Sequence, residues 1–200
     1  YSFCIINFFQ FLEGLHLKKV PERLAWLELS KKPKRKLEDP LPSQVDVKKL
    51  LDNVEEFGRK FSIRDKAILS LLNDTGMRIG EALAIRNKNI REENDYLVIQ
   101  IPESKSMPRT VISFLAKKDL EEWAKITPTK GSLDGYFFCQ VDGSPCRYPS
   151  IVKSFKRALA KSGISWRAGK SVHLFRSICA SRFFEWPYAL KNSWFGWAFR

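Results

Sequence analysis

Two runs of alternating apolar residues, Tyr96-Leu-Val-Ile-Gln-Ile101 and Arg109-Thr-Val-Ile-Ser-Phe114, are separated by a polar loop that opens at Pro102 and closes at Pro108. Side chains on a strand point alternately to its two faces, so each run can bury one face, and a proline at either end of the loop cannot continue a ladder. The pattern predicts a β-hairpin with Lys105 in its turn. On both sides of the hairpin the apolar period becomes helical. Val45, Val47, Leu50, Leu51 and Val54 fit a helix from Ser43, while Ile63, Ala67, Ile68, Leu71 and Leu72 fit a second that Gly76 caps. A short helix is expected from Ile79 to about Ile85, and longer ones over Leu115–Ile126, Ser150–Lys161 and His173–Phe184. Between them Tyr136-Phe-Phe-Cys139 reads as a short strand or a buried turn. The expected fold class is mainly α with a small antiparallel β-sheet, an α+β arrangement, and no repeat with a period of ~20–50 residues is visible.

The material for a core is present: 44% of the 200 residues are hydrophobic, with six Trp and fifteen Phe. Lys and Arg total 35 against 22 acidic residues, a formal charge of +13. A surplus of that size favours polyanionic partners through counterion release, with nucleic acid foremost, although a surface charged for solubility has the same composition. The four cysteines, Cys4, Cys139, Cys146 and Cys179, form no close pair, and there are only two histidines. Neither a zinc module nor a disulfide framework is indicated, and a reducing cytosol with buried free thiols is the expected setting. The apolar run Tyr1–Leu12 falls short of the ~20 residues that span a bilayer and has no basic leader, so no membrane partner is expected. Residues 1–17 have the apolar density of a buried helix that cannot fold alone, and the lack of a starting Met suggests an end trimmed from a longer product. Residues 18–42 hold Lys32, Lys34, Arg35 and Lys36 among Pro21, Pro33, Pro40 and Pro42, the composition of an interdomain linker. A solvated loop and a linker lying on a DNA backbone fit that stretch equally well.

Asp74-Thr75-Gly76 has the form of the aspartic-protease triplet, but one copy at a helix end cannot supply the pair of carboxylates that chemistry requires. Read further, Asp74-Thr-Gly-Met-Arg78-Ile-Gly-Glu81-Ala-Leu-Ala-Ile85 carries Thr-Gly-x-Arg-x-x-Glu. His173-Leu-Phe-Arg176 sets an imidazole and a guanidinium three residues apart, the spacing of one helix face. Phe195-Gly196-Trp197 follows near the end. In this order, with Lys105 in a hairpin ahead of Arg109-Thr-Val111, these elements resemble the catalytic domain of the tyrosine recombinases, the phage-integrase family. Taken singly each has an ordinary explanation: a helix-cap glycine with a surface Arg–Glu pair, a lysine at a hairpin tip, a core histidine, an aromatic packing motif. Their joint order carries the resemblance, which covers roughly residues 41–200. It departs from the family at Ser177, where a second histidine is common.

The resemblance implies a site-specific recombinase that cuts and rejoins double-stranded DNA by transesterification through a 3′-phosphotyrosine. Arg78 and Arg176 would hold the non-bridging oxygens, Lys105 would protonate the leaving 5′-oxygen, and His173 would assist proton transfer. Trp197 would complete the pocket and Glu81 would buttress Arg78. Lys32, Lys34, Arg35, Lys36 and Arg109 are the expected DNA contacts. No cofactor and no metal are expected, because paired guanidiniums stand where other phosphoryl-transfer enzymes place a metal. Residues 1–17 would be the last helix of a helical core-binding domain, 18–40 a basic linker, and 41–200 the catalytic domain without its C-terminal tyrosine segment. Tyr1, Tyr96, Tyr136, Tyr148 and Tyr188 all precede Gly196-Trp197, whereas the family's nucleophile follows that element, so these 200 residues are expected to hold no nucleophile. The family implies a tetramer on two DNA sites; this chain alone is expected to be inactive and monomeric, DNA-associated in the cytoplasm. A DNA-binding relic or regulator that keeps the fold without catalysis is the alternative, and an RNA-binding protein a more distant one.

Overall fold

The structure, a computed structural model, describes residues 41–54, 59–102, 108–164 and 172–185, all within the compact unit Leu41–Arg200. The expected helix in residues 1–17 and the linker of 18–40 lie outside the described residues. Six α-helices and one three-stranded sheet are described: α1 (Gln44–Asp52), α2 (Arg59–Thr75), α3 (Ile79–Leu83), β1 (Ile90–Glu92), β2 (Leu97–Ile101), β3 (Arg109–Ser113), α4 (Lys117–Ile126), α5 (Tyr148–Ser162) and α6 (Leu174–Glu185). The mainly helical α+β class expected from the periodicities is what the chain adopts.

Ser43 starts α1 as a capping box: its hydroxyl accepts the Asp46 N–H at 3.1 Å, and the Asp46 carboxylate accepts the Ser43 N–H at 2.9 Å. Val47 and Leu50 turn inward, whereas Val45, expected on the same face, is 76% exposed, because it falls on the side of this short helix that faces solvent. From Arg64 to Asp74, α2 is buried on nearly all sides, the apolar Ala67, Ile68, Leu69, Leu71 and Leu72 together with the polar Asp65, Ser70 and Asn73, which puts this helix in the centre of the core. It packs against α4, α6, α5 and β3. A buried fork joins it to the segment after α4: Arg64 donates through Nε and Nη2 to Asp65 and through Nη1 to the Cys139 carbonyl at 3.2 Å.

The sheet is antiparallel in the order β1-β2-β3, with Ile99 opposite Ile90 on one side and Val111 on the other. Leu97, Ile99 and Ile101 are buried in strict alternation, as the hairpin pattern requires. β1 was not legible: three residues, Ile90-Arg-Glu92, carry too little alternation to register, and only β2 makes them a strand. Tyr136–Cys139 is a buried connector with single bridges at its ends, Arg86 to Tyr136 and Cys139 to Pro145. Its Phe137 carbonyl accepts the buried Trp123 indole N–H of α4 at 2.7 Å. Cys139, Cys146 and Cys179 are free and buried, as their spacing suggested.

Candidate active site

The site is built where α2 stops. Gly76 takes φ +62°, its N–H closes on the Leu72 carbonyl at 3.0 Å, and the chain leaves the helix by a turn that residues with a Cβ adopt only at a cost. Arg78 follows in extended conformation as the N-cap of α3. Glu81 stands three residues on, within the first turn, and its carboxylate holds Arg78 twice. Oε2 accepts the Arg78 main-chain N–H at 2.9 Å, and Oε1 accepts Nη1 at 3.1 Å. The spacing of Arg-x-x-Glu therefore has a local cause: the acid that caps the helix also orients the guanidinium.

A second arginine reaches the same carboxylate. Arg109, first residue of β3, donates Nη2 to Oε2 at 2.6 Å and Nη1 to Oε1 at 3.1 Å, a bidentate fork. The three side chains differ in access: Arg78 is 41% exposed, Arg109 9% and Glu81 5%. Arg109 was expected among the DNA contacts, and the structure places its guanidinium on Glu81. The other end of β3 is fastened to the same turn, since Asp74 accepts the Ser113 hydroxyl at 2.8 Å and the N–H groups of Leu115 and Ala116 at 3.0 and 3.2 Å. β3 is thus tied at both ends to the segment that carries Arg78.

α6 brings the second basic element. A helix ends with carbonyls that lack intrahelical partners, and α6 lays three donors against those of α2. Arg182 donates to the Asn73 carbonyl, the Cys179 thiol to that of Asp74 at 3.3 Å, and Arg176 Nη1 to that of Gly76 at 3.2 Å. Residues 176, 179 and 182 share one helix face, and two guanidiniums there also suit the negative end of the α2 dipole. A Cβ on Gly76 would sit 3.1 Å from the Cys179 sulfur, so the glycine is also what lets α6 approach. Burial pushes the Cys179 thiol above its ordinary range, partly offset by the charge of Arg182. His173 lies just ahead of α6, exposed like Arg176, and its carbonyl accepts the Arg176 N–H at 3.1 Å.

The structure therefore gathers Arg78, Glu81, Arg109 and Arg176 around one turn, with His173 beside Arg176, although Gly76 and Arg176 lie 100 residues apart in sequence. Lys105, Trp197, Lys32, Lys34, Arg35 and Lys36 lie outside the described residues. Two contributors had no role legible in the sequence: Asp74, which opens the Thr-Gly-x-Arg stretch without a part in its motif, and Arg182, which no motif marked. Among the described residues, no group of three or more His, Cys, Asp or Glu side chains could hold a metal ion. No described helix is long and apolar enough to cross a membrane.

The family model "Phage integrase family" matches residues 43–191, a stretch that takes in both arginine elements and the hairpin. The chain belongs to the phage integrase family. Among curated members, it is 27% identical over 195 residues to "Tyrosine recombinase XerH" of Campylobacter jejuni subsp. jejuni serotype O:2, covering 92% of this chain and 53% of that protein. The protein of the same description from Helicobacter pylori is 25% identical over 147 residues, 70% of this chain and 40% of that one. This integrase-family chain thus spans about half the length of the curated relatives it matches. Its fold is shared with a crystal structure of the XerH site-specific recombinase bound to difH substrate in a pre-cleavage complex, at TM-score 0.60 and 24% identity over 73% of this chain and 43% of that one. A lambda integrase dimer bound to a COC′ core site shares it at TM-score 0.56 and 16% identity, over 88% of this chain and 62% of that one.

Proposed function

We propose that this chain supplies the phosphate-activating part of a site-specific recombinase acting on double-stranded DNA. The observation that carries the reading is the Arg176–Gly76 hydrogen bond at 3.2 Å, which sets the second arginine on the turn that presents the first. Attack on a phosphodiester builds negative charge on its two non-bridging oxygens, and two planar guanidiniums, fixed before the substrate arrives, match that charge without reorganisation. Arg78 and Arg176 take this role. A tyrosine oxygen bonds to phosphorus while the bond from phosphorus to the 5′-oxygen breaks, leaving a 3′-phosphotyrosine. The departing 5′-oxygen takes its proton from Lys105, and His173 assists the tyrosine in losing and regaining its own. Trp197 adds one indole donor to the pocket. The basic stretch Lys32, Lys34, Arg35 and Lys36 holds the backbone of the duplex. The protein works DNA-associated in the cytoplasm, and recombination of two duplexes calls for four protomers.

None of the five tyrosines of this chain is assigned as nucleophile. Of the described ones, Tyr96 packs on Phe114 with ring centroids 5.3 Å apart, Tyr136 lies beneath the Arg86 guanidinium at 4.6 Å, and Tyr148 opens α5. The test accordingly supplies its own nucleophile. Duplexes selected from a randomised pool for binding are incubated with the chain and hydrogen peroxide, whose anion can attack an activated phosphodiester. A nick at a defined position that disappears in Arg78→Ala and in Arg176→Ala is the expected result. Binding that weakens steeply with salt, without a nick, would favour a regulator that only occupies DNA. Preference for structured RNA in competition would overturn both readings. A covalent protein–DNA adduct formed without peroxide would show that the nucleophile lies within these 200 residues after all.

A further inference from the structure

The three-membered cluster Arg78–Glu81–Arg109 holds two cations on one anion, and its geometry is lopsided. The Arg109 side chain is only 9% exposed and gives both terminal nitrogens to Glu81, one to each oxygen; Arg78 gives a single terminal nitrogen, at 3.1 Å, and is 41% exposed. A buried carboxylate needs compensation from some cation. With Arg109 on it the need is met from the interior, and the unit of positive charge left over among the three falls on the member that reaches solvent.

From this we infer that Arg109 is a positioning residue: by satisfying Glu81 from inside, it leaves the Arg78 guanidinium available to an anionic phosphodiester oxygen. Without Arg109, the cation that Glu81 keeps among the described residues is Arg78, which it draws inward into a tighter pair. Because Arg109 also opens β3, opposite Ile101, the strand that follows the lysine-bearing loop is joined through one carboxylate to the residue that meets the phosphate. The inference rests on Arg78 being a phosphate ligand, and it assigns to Arg109 a place behind that ligand where sequence reasoning set it on the DNA.

The test reads Arg78 directly. The chain is treated with phenylglyoxal, which modifies accessible guanidiniums, and the rate at Arg78 is followed by peptide mass spectrometry. Arg109→Gln should slow modification of Arg78 about two- to fivefold, the scale of a partly exposed ion pair gained. Arg109→Lys, which keeps the charge, should stay near the parent rate. Glu81→Gln should raise the rate, and Arg109→Gln with Glu81→Gln should match Glu81→Gln alone. General loosening of the fold would expose Arg78 and speed its modification in Arg109→Gln, and a DNA-contact role would leave it unchanged; either result overturns the inference. Should Arg109→Gln fail to fold, the other three variants decide, since an unchanged rate in Glu81→Gln would equally overturn it. In the peroxide assay, Arg109→Gln should slow nicking at least tenfold, because misplacement of a binding group costs rate in this way. If the parent chain nicks no duplex, the recombinase reading fails, while the Arg78 modification series still decides the role of Arg109.

Discussion

Gly76 shows how much one position can carry. Its φ of +62° costs any residue with a Cβ about 1–2 kcal/mol, and the added carbon would press on the Cys179 sulfur at 3.1 Å. Gly76→Ala should lower stability by at least about 2 kcal/mol in urea unfolding. Duplex binding by the folded fraction should also weaken, because the carbonyl that holds Arg176 belongs to this residue. Cys146 offers a test by pH. Loss of hydration raises its thiol to about 11, with the nearby Arg64 charge working in the other direction. The raised value means the neutral thiol is favoured in the fold: its contribution to stability is intact below the ordinary 9.0 and is lost as pH rises from there to about 11. Alkylation of Cys146 at pH 8 should therefore be slower by about two orders of magnitude in the native protein than in urea, as thiolate content dictates.

Among elements, β3 matters most, because its ends are fixed by different means to one turn. Asp74 receives three donors from its far end. Asp74→Ala leaves a buried hydroxyl and two main-chain N–H groups without that acceptor, and a loss of about 3 kcal/mol in a denaturant titration is expected, against a smaller loss for Asp74→Asn, which keeps one acceptor oxygen. α4 has a comparable tie in the Trp123 indole to the Phe137 carbonyl. Trp123→Phe keeps most of the apolar bulk and removes the donor, so a cost of about 1–3 kcal/mol in the same titration would measure that bond plus a small void.

Across the molecule, the charge of +13 is a long-range property that the local forks do not use up. Duplex affinity should fall linearly on a logarithmic salt scale. Replacing Arg176 by Ala should shallow that slope by about one unit, whereas Arg109→Lys should leave it alone, since only the first meets a phosphate in the proposed function. Fluorescence anisotropy across a salt series distinguishes the two. Equal slopes for Arg176→Ala and the parent would remove Arg176 from the DNA.

The sequence by itself determined the class of fold, because apolar periods of two and of three to four are imposed by backbone geometry and survive without knowledge of neighbours. It also marked Arg78, Glu81, His173 and Arg176, since each pair sits within one helical turn and the family resemblance attaches to such short motifs. Tertiary structure alone decided what those motifs touch. That Arg109 turns to Glu81, that Asp74 gathers the β3–α4 junction, and that Arg176, Cys179 and Arg182 close the C-terminal end of α2 are contacts between segments 28 to 109 residues apart. Sequence spacing carries no signal for such contacts. They exist because buried charge and unpaired carbonyls must find partners wherever packing brings them.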